Sequence, residues 1–207
     1  MLPAPPVLLI TDRRQVQGDV VEVVGAACAG GCRWVSLREK DLPPEDQLAL
    51  FARLRTATSP FGAVLMLHGT PELAWAARAD GVHLPDGADP RWARTVLGGS
   101  ALVGLSTHRP ADPAAAPAVT DYITASPIFS TPSKPGYGPA LGTAGLRAFV
   151  EQSAVPVIAL GGIEVGNAKS CREAGAGGLA VMGGVMRATD PRAEIAALID
   201  AFARHGA

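Results

Sequence analysis

The stretch Trp34-Val-Ser-Leu-Arg-Glu-Lys40 is a short apolar run that ends in a cation, an anion and a second cation. Its apolar residues predict a buried strand, with Arg38 and Lys40 directly beyond the carboxyl end of that strand. Parallel sheets and barrels bind their ligands at this end, so two cations there predict an anionic substrate. The alternative interpretation is a solvated charged turn, because charge clusters after strands are common.

The same pattern of a short apolar segment followed by a helix-like segment recurs along the chain. The predicted strands are 7–11, 34–37, 64–67, 81–84, 102–106, 122–125, 157–160 and 179–182. The predicted helices include 20–29, 44–57, 72–78, 90–97, 145–152, 165–174 and 191–204. Eight such units at a spacing of roughly 25 residues predict an α/β fold, a (β/α)8 TIM barrel formed by a single domain over 1–207. An open, doubly wound sheet has the same periodicity and is the alternative.

The composition narrows the class of protein. The 207 residues are 48% hydrophobic and 18% charged, which is typical of a soluble globular protein. A net charge of −1 gives no general attraction to nucleic acid or to an acidic membrane, and neither partner is expected. The cysteines at 28, 32 and 171 lack zinc-site spacing and fit a reducing cytoplasm. We expect no signal peptide and no membrane span, and homo-oligomerisation stays open.

Polar or glycine-rich segments follow every predicted strand. In chain order they are Thr11-Asp12-Arg13, Arg38-Glu39-Lys40, His68-Gly69, Pro85-Asp86-Gly87, Ser106-Thr107-His108, the loop 127–136, Gly161-Gly162 and Gly183-Gly184. A barrel brings all carboxyl strand ends to one mouth, so we expect these segments to form a single binding site.

Two glycine pairs predict a phosphate site within that mouth. Gly161-Gly162 and Gly183-Gly184 follow the seventh and eighth predicted strands, where barrels often hold a phosphate. Glycine lets backbone amides approach a ligand closely, and successive amides can bind an anion. The alternative is that both pairs form tight turns without a ligand.

Three histidines and one lysine have distinct expected roles. His108 follows a buried strand and is predicted to face the mouth as a general acid or base, with a structural hydrogen-bonding role as the alternative. His68 is interpreted as a second base, a substrate anchor or a metal ligand. His83 lies inside a predicted strand and is expected to be a satisfied interior residue. Lys134 lies on a long loop that is predicted to cover the site, where it would neutralise a phosphate, pyrophosphate or carboxylate, unless it is only a solvated surface lysine.

The order and spacing of six segments resemble the thiamine-phosphate synthase and thiazole tautomerase superfamily. The segments are Leu9-Ile-Thr-Asp-Arg13, Leu37-Arg-Glu-Lys40, Ala79-Asp-Gly-Val-His-Leu84, Gly104-Leu-Ser-Thr-His108, Pro127-Ile-Phe129 with Thr131-Pro-Ser-Lys134, and Ala159-Leu-Gly-Gly-Ile163. The resemblance implies a (β/α)8 barrel that binds a thiazole phosphate and acts in thiamine biosynthesis. It leaves open which of the two activities the chain has.

Three departures from the family pattern bear on that choice. Synthases of the family join a pyrimidine methyl pyrophosphate to the thiazole phosphate with the help of magnesium. Their pattern has glutamine where this chain has Ser36, and magnesium-binding aspartates where it has Gly69 and Ala88. Magnesium prefers oxygen ligands, so these departures argue against the synthase reaction.

The resemblance then implies a thiazole tautomerase, an isomerase that shifts a proton and needs no metal or other cofactor. In this interpretation His108 is the proton shuttle. The implied substrate-binding residues are Arg38, Lys40, His68, Lys134, Gly161, Gly162, Gly183 and Gly184. The first alternative is a magnesium-dependent thiamine-phosphate synthase, a transferase that recruits Asp12, Asp86 or Asp89 as metal ligands. The second alternative is a non-catalytic sensor of thiamine intermediates.

Overall fold

Eight parallel strands close into a barrel in sequence order, and β1 pairs with both β2 and β8. The computed structural model describes residues 1–108, 119–131 and 139–203. The strands are β1 Val7–Ile10, β2 Trp34–Leu37, β3 Val64–His68, β4 Gly81–Leu84, β5 Leu102–Thr107, β6 Tyr122–Ala125, β7 Val157–Leu160 and β8 Gly178–Val181. Closure through the β1–β8 pair confirms the predicted (β/α)8 barrel and excludes the open sheet. That residues 1–207 form one domain stays a prediction.

The described helices pack around the outside of the barrel. They are α1 Val20–Ala29, α2 Pro44–Thr58, α3 Pro71–Ala76, α4 Pro90–Leu97, α5 Gly142–Gln152, α6 Val165–Glu173, α7 Gly183–Met186 and α8 Pro191–Ala203. Local capping sets several of their starts: the side chains of Asp19 and Asp89 accept hydrogen bonds from backbone amides in the first turns of α1 and α4. The four-residue helix α7 was not predicted from the sequence. None of the described helices is both long and apolar enough to span a lipid bilayer.

Large side chains fill the lower barrel interior. The rings of Trp34 and Tyr122 meet edge to face with their centroids 4.8 Å apart, and Trp34 Nε1 donates a hydrogen bond to Met66 Sδ at 3.0 Å. Gly104 makes room for this arrangement, because a Cβ there would lie 2.6 Å from Tyr122 Cε1. Packed side chains therefore close the barrel below.

A second layer of apolar side chains lies between the barrel and its helices. It includes Phe51 and Leu54 of α2 and Phe149 of α5, each at most 1% exposed. The three cysteines also lie in this layer as free, buried thiols, which confirms the prediction that Cys28 and Cys32 are packing residues. This double layer holds the strand ends rigidly, so the residues that follow the strands are presented at a fixed mouth.

Candidate active site

A cavity of about 530 Å³ opens at the carboxyl ends of the strands. Residues from all eight strands or the segments directly after them line it, as expected for the mouth of a barrel. The cavity brings together these predicted site residues: Arg38, Lys40, His68, His108, Gly161, Gly162, Gly183 and Gly184. Lys134 lies outside the described residues. The roles of these residues remain predictions.

Arg38 and Lys40 are cations at the wall of this cavity, just beyond β2. The Arg38 amide donates to Thr11 Oγ1 at 2.9 Å, which fixes the backbone where the two side chains begin. Neither side chain forms an ion pair within the described residues. Burial, and then the charge of Arg38, lower the pKa of Lys40 below its usual range. An anion between the two cations would relieve this repulsion.

The acidic residues next to these cations are bound to a different arginine. Arg13 Nη1 lies 3.2 Å from Glu39 Oε2, and Arg13 Nη2 lies 2.9 Å from Asp41 Oδ2. Glu39 is 1% exposed and also accepts a hydrogen bond from the Arg13 amide at 2.9 Å. Glu39 and Asp41 thus satisfy Arg13, and the charges of Arg38 and Lys40 remain available to a ligand.

Asp12 is the most enclosed carboxylate of the cavity, and its oxygens are already bonded. One oxygen accepts from Arg14 Nε at 3.1 Å, and the other accepts from Gln15 Nε2 at 2.7 Å. Burial raises the pKa of Asp12, but the hydrogen bonds from Gln15 and Arg14 outweigh burial and leave the pKa below its usual range. Asp12 therefore holds the loop after β1 in place.

The residues present do not fit a protein-bound magnesium ion. The positions of the two family aspartates hold Gly69 and Ala88, neither of which has a side-chain oxygen. Across the described ranges, no three His, Cys, Asp or Glu side chains are grouped so that they could hold a metal ion. Asp86, the acidic residue nearest to Ala88 on the cavity wall, is exposed. The expected recruitment of Asp12, Asp86 or Asp89 as metal ligands thus finds no matching cluster.

His83 forms the floor of the cavity. Its Nδ1 lies 2.9 Å from the Tyr122 hydroxyl, and its Nε2 lies 3.0 Å from Ser106 Oγ. Burial, and then the charges of Lys40 and Arg38, lower the pKa of His83 to about 3, so the ring is neutral at physiological pH. These bonds confirm the prediction that His83 is a satisfied interior residue.

His68 and His108 occupy the cavity wall. His68 ends β3, and its ring centroid lies 5.0 Å from that of His83. His108 follows β5, and its Nδ1 lies 3.3 Å from the carbonyl oxygen of Ser126, which places the proton of this bond on Nδ1. Both rings are half-buried and can reach a ligand in the cavity.

The first glycine pair joins the loop after β7 to the loop after β6. Gly161 and Gly162 have φ values of 98° and 63°, which lie in the left-handed region that favours glycine. A Cβ at Gly162 would lie 2.5 Å from the carbonyl oxygen of Ser130, and the amide of Phe129 donates to Gly161 O at 3.0 Å. Close packing between the two loops therefore explains why glycine stands at both positions, whether or not a ligand binds there.

The second glycine pair begins α7 beside an arginine that sequence reasoning did not single out. Arg187 Nη1 donates to Gln15 Oε1, and a Cβ at Gly183 would lie 2.8 Å from that same oxygen. Arg187 forms no ion pair within the described ranges and lines the cavity. Arg187 was not predicted as a site residue, because it lies four residues after Gly183, at the end of a helix that was not predicted. Arg187 adds a cation to the predicted phosphate site.

Comparison with known proteins identifies the family of the chain. Residues 7–185 match the thiamine monophosphate synthase family. A Geobacter sulfurreducens relative, provisionally named as a thiamine-phosphate synthase, is 43% identical over 194 residues, which cover 92% of this chain and 91% of that protein. A thiamine-phosphate synthase of Leptospira biflexa is 38% identical over 204 residues, which cover 95% of this chain and 97% of that protein. The solved structure of a thiamine phosphate pyrophosphorylase from Pyrococcus furiosus has a TM-score of 0.83 and 29% identity, and the match covers 95% of this chain and 94% of that one.

These relatives correct one prediction from the sequence. The thiazole tautomerase interpretation, an isomerase reaction, is wrong, because the curated relatives are named as thiamine-phosphate synthases, which are transferases. The role of His108 stays a prediction. The tautomerase interpretation depended on Gly69 and Ala88, but the loss of a metal ligand reports on metal binding and does not identify the bond that an enzyme makes. Arg38 and Lys40, the cations of the synthase pattern, are retained. The chain belongs to the thiamine monophosphate synthase family.

Proposed function

We propose that this protein is a thiamine-phosphate synthase that joins a pyrimidine methyl pyrophosphate to a thiazole phosphate. The observation that carries the proposal is that one cavity contains two separate groups of anion-binding residues. Arg38 and Lys40 follow β2, whereas the glycine pairs and Arg187 follow β7 and β8. A coupling of two phosphorylated substrates needs two such sites.

The arrangement of strands supports this division of the cavity. In the closed barrel, β1 lies between β2 and β8, so the two groups are near neighbours on one mouth without being contiguous. The cavity volume of about 530 Å³ lies within the usual range of small-molecule sites, roughly 300–1,000 Å³. We assign pyrophosphate to Arg38 and Lys40, and the thiazole phosphate to the glycine loops and Arg187.

The proposed reaction breaks one bond and makes one. The bond between the pyrimidine methylene carbon and the pyrophosphate oxygen breaks, and its electron pair leaves with pyrophosphate. The lone pair of the thiazole ring nitrogen then forms the new carbon–nitrogen bond and gives a thiazolium cation. Arg38 and Lys40 stabilise the negative charge that develops on the leaving group.

His108 takes a binding role in this proposal. Formation of the carbon–nitrogen bond requires no proton transfer, so a general base is not needed at that step. The His108 ring lines the cavity and is oriented by its hydrogen bond to the Ser126 carbonyl. We assign His108 to substrate contact together with His68, which ends β3 and is separated from β5 by β4.

Coupling by the purified protein tests this proposal. We expect thiamine phosphate, detected by chromatography, when both substrates and magnesium chloride are supplied. Arg38→Gln is expected to lower kcat/KM by about tenfold or more, because charge-assisted hydrogen bonds contribute about 1.5–3 kcal/mol. Lys169→Gln is the control, since Lys169 is exposed on α6 and pairs with Glu173. Folded protein that binds thiazole phosphate yet forms no product would refute the proposal.

A further inference from the structure

The cavity wall at Arg38 and Lys40 has the cations of the synthase pattern. Among the described residues, it lacks the carboxylates that would hold a metal ion beside these cations. Gly69 and Ala88 stand at the two family aspartate positions. Asp12 accepts hydrogen bonds from Arg14 and Gln15 through both of its oxygens. In the part of the chain that the structure describes, these residues leave no carboxylate cluster for a divalent cation.

The charges on this wall are arranged to receive an anion directly. Arg13 forms ion pairs with Glu39 and Asp41. These two acids are the sequence neighbours of Arg38 and Lys40, and their charges are balanced by Arg13. Neither Arg38 nor Lys40 has an ion-pair partner among the described residues. Two neighbouring unpaired cations repel a divalent metal ion and attract a polyanion, and the half-buried position of Arg38 strengthens both effects.

We propose that this chain binds the pyrophosphate of its substrate through Arg38 and Lys40 without a protein-held divalent cation. The inference deepens the proposed synthase function and rests on it for the identity of the anion. Arginine and lysine side chains can stabilise a phosphoryl leaving group as metal ions do, since each places positive charge where negative charge develops. In this chain Arg38 and Lys40 stabilise the negative charge of the leaving pyrophosphate without a metal ion held by the protein.

Calorimetric titration with inorganic pyrophosphate tests the inference apart from catalysis. The wild-type protein is titrated in EDTA and again in magnesium chloride. We expect binding in EDTA and no tightening with magnesium. Arg38→Gln and Lys40→Gln are each expected to weaken binding by about tenfold or more, since each removes a charged hydrogen-bond donor. Lys169→Gln removes an equal charge far from the cavity and is expected to bind like the wild type.

Three results would overturn the inference: no pyrophosphate binding in EDTA, tenfold or greater tightening by magnesium, or wild-type affinity in both cavity variants. Circular dichroism tests whether each variant is folded. If a variant does not fold, the two titrations of the wild-type protein decide whether the inference stands. Coupling assays in the same two buffers separate this inference from the proposed function. Product that forms only with magnesium, together with magnesium-dependent pyrophosphate binding, overturns the inference and leaves the synthase function standing. Pyrophosphate binding in EDTA without coupling in either buffer supports metal-independent binding of an anion at Arg38 and Lys40 and refutes the synthase function.

Discussion

Acidification should destabilise this fold through His83. The ring is 2% exposed, and both of its nitrogens are hydrogen-bonded, to the Tyr122 hydroxyl at 2.9 Å and to Ser106 Oγ at 3.0 Å. Burial, followed by the charges of Lys40 and Arg38, lowers the pKa of His83 from 6.5 to about 3. The folded protein therefore resists protonation of a ring that the unfolded chain protonates readily.

The size of the effect follows from this difference in pKa. Above pH 6.5 both states hold His83 neutral, and the group contributes no pH dependence. As the pH falls below that value, the unfolded chain binds the proton and the folded protein does not, so stability declines by about 1.4 kcal/mol per pH unit. The decline ends near the folded pKa of about 3. Between pH 7.5 and pH 5, His83 alone should lower the free energy of unfolding by about 2 kcal/mol.

Urea unfolding of the wild type and of His83→Gln at these two pH values measures the effect. Other titrating groups act in both proteins, so they cancel when the two losses of stability are compared. The wild type should lose about 2 kcal/mol more than the variant on acidification, even if the variant is less stable at pH 7.5. Equal losses in the two proteins would refute the reasoning, because they would mean that His83 is protonated in the folded state without a penalty.

Four further substitutions probe the packing that shapes the cavity. Gly162→Ala should lower the free energy of unfolding by about 1–3 kcal/mol, because φ is 63° and the new Cβ would lie 2.5 Å from a carbonyl oxygen. Gly184→Ala should leave the free energy of unfolding unchanged or raise it by up to about 1 kcal/mol, since the atom nearest to its new Cβ is 3.9 Å away. Urea unfolding of both variants measures the difference. Ser36→Ala should raise the melting temperature or leave it unchanged, because the buried Ser36 hydroxyl has no hydrogen-bond partner among the described residues; a loss of more than about 1 kcal/mol would mean that a bound water satisfies it. Gly104→Ala should destabilise by about 1–3 kcal/mol, because a Cβ there would overlap both the ring and the hydroxyl of Tyr122, and wild-type stability of this variant in urea unfolding would contradict the prediction.

The barrel was predictable because each strand is a short apolar run buried on both faces. The observed bounds of β2, β4, β6 and β7 are those predicted. β8 begins at Gly178, one residue earlier than predicted, because its pairing with Ile158 of β7 decides the boundary. Glycine has a low strand propensity, and the register of hydrogen bonds places this one in the strand.

The location of the candidate site was also predictable from the sequence, whereas the ion pairs within it were not. A barrel brings strand ends together, so residues as distant in sequence as Arg38 and Gly183 were expected at one mouth, where the structure places them. The pairing of Arg13 with Glu39 and Asp41 depends on side-chain directions that spacing does not encode. The choice between two reactions on one scaffold was misjudged, because absent metal ligands were interpreted as an absent reaction.

The products formed by the purified wild-type protein test the central claim most directly. Phosphorus NMR can follow both substrates and both products in one mixture of pyrimidine methyl pyrophosphate, thiazole phosphate, magnesium chloride and protein. The synthase account predicts that thiamine phosphate and pyrophosphate appear together in equal amounts at an enzymatic rate. Persistence of both substrates, or release of pyrophosphate without thiamine phosphate, would contradict it.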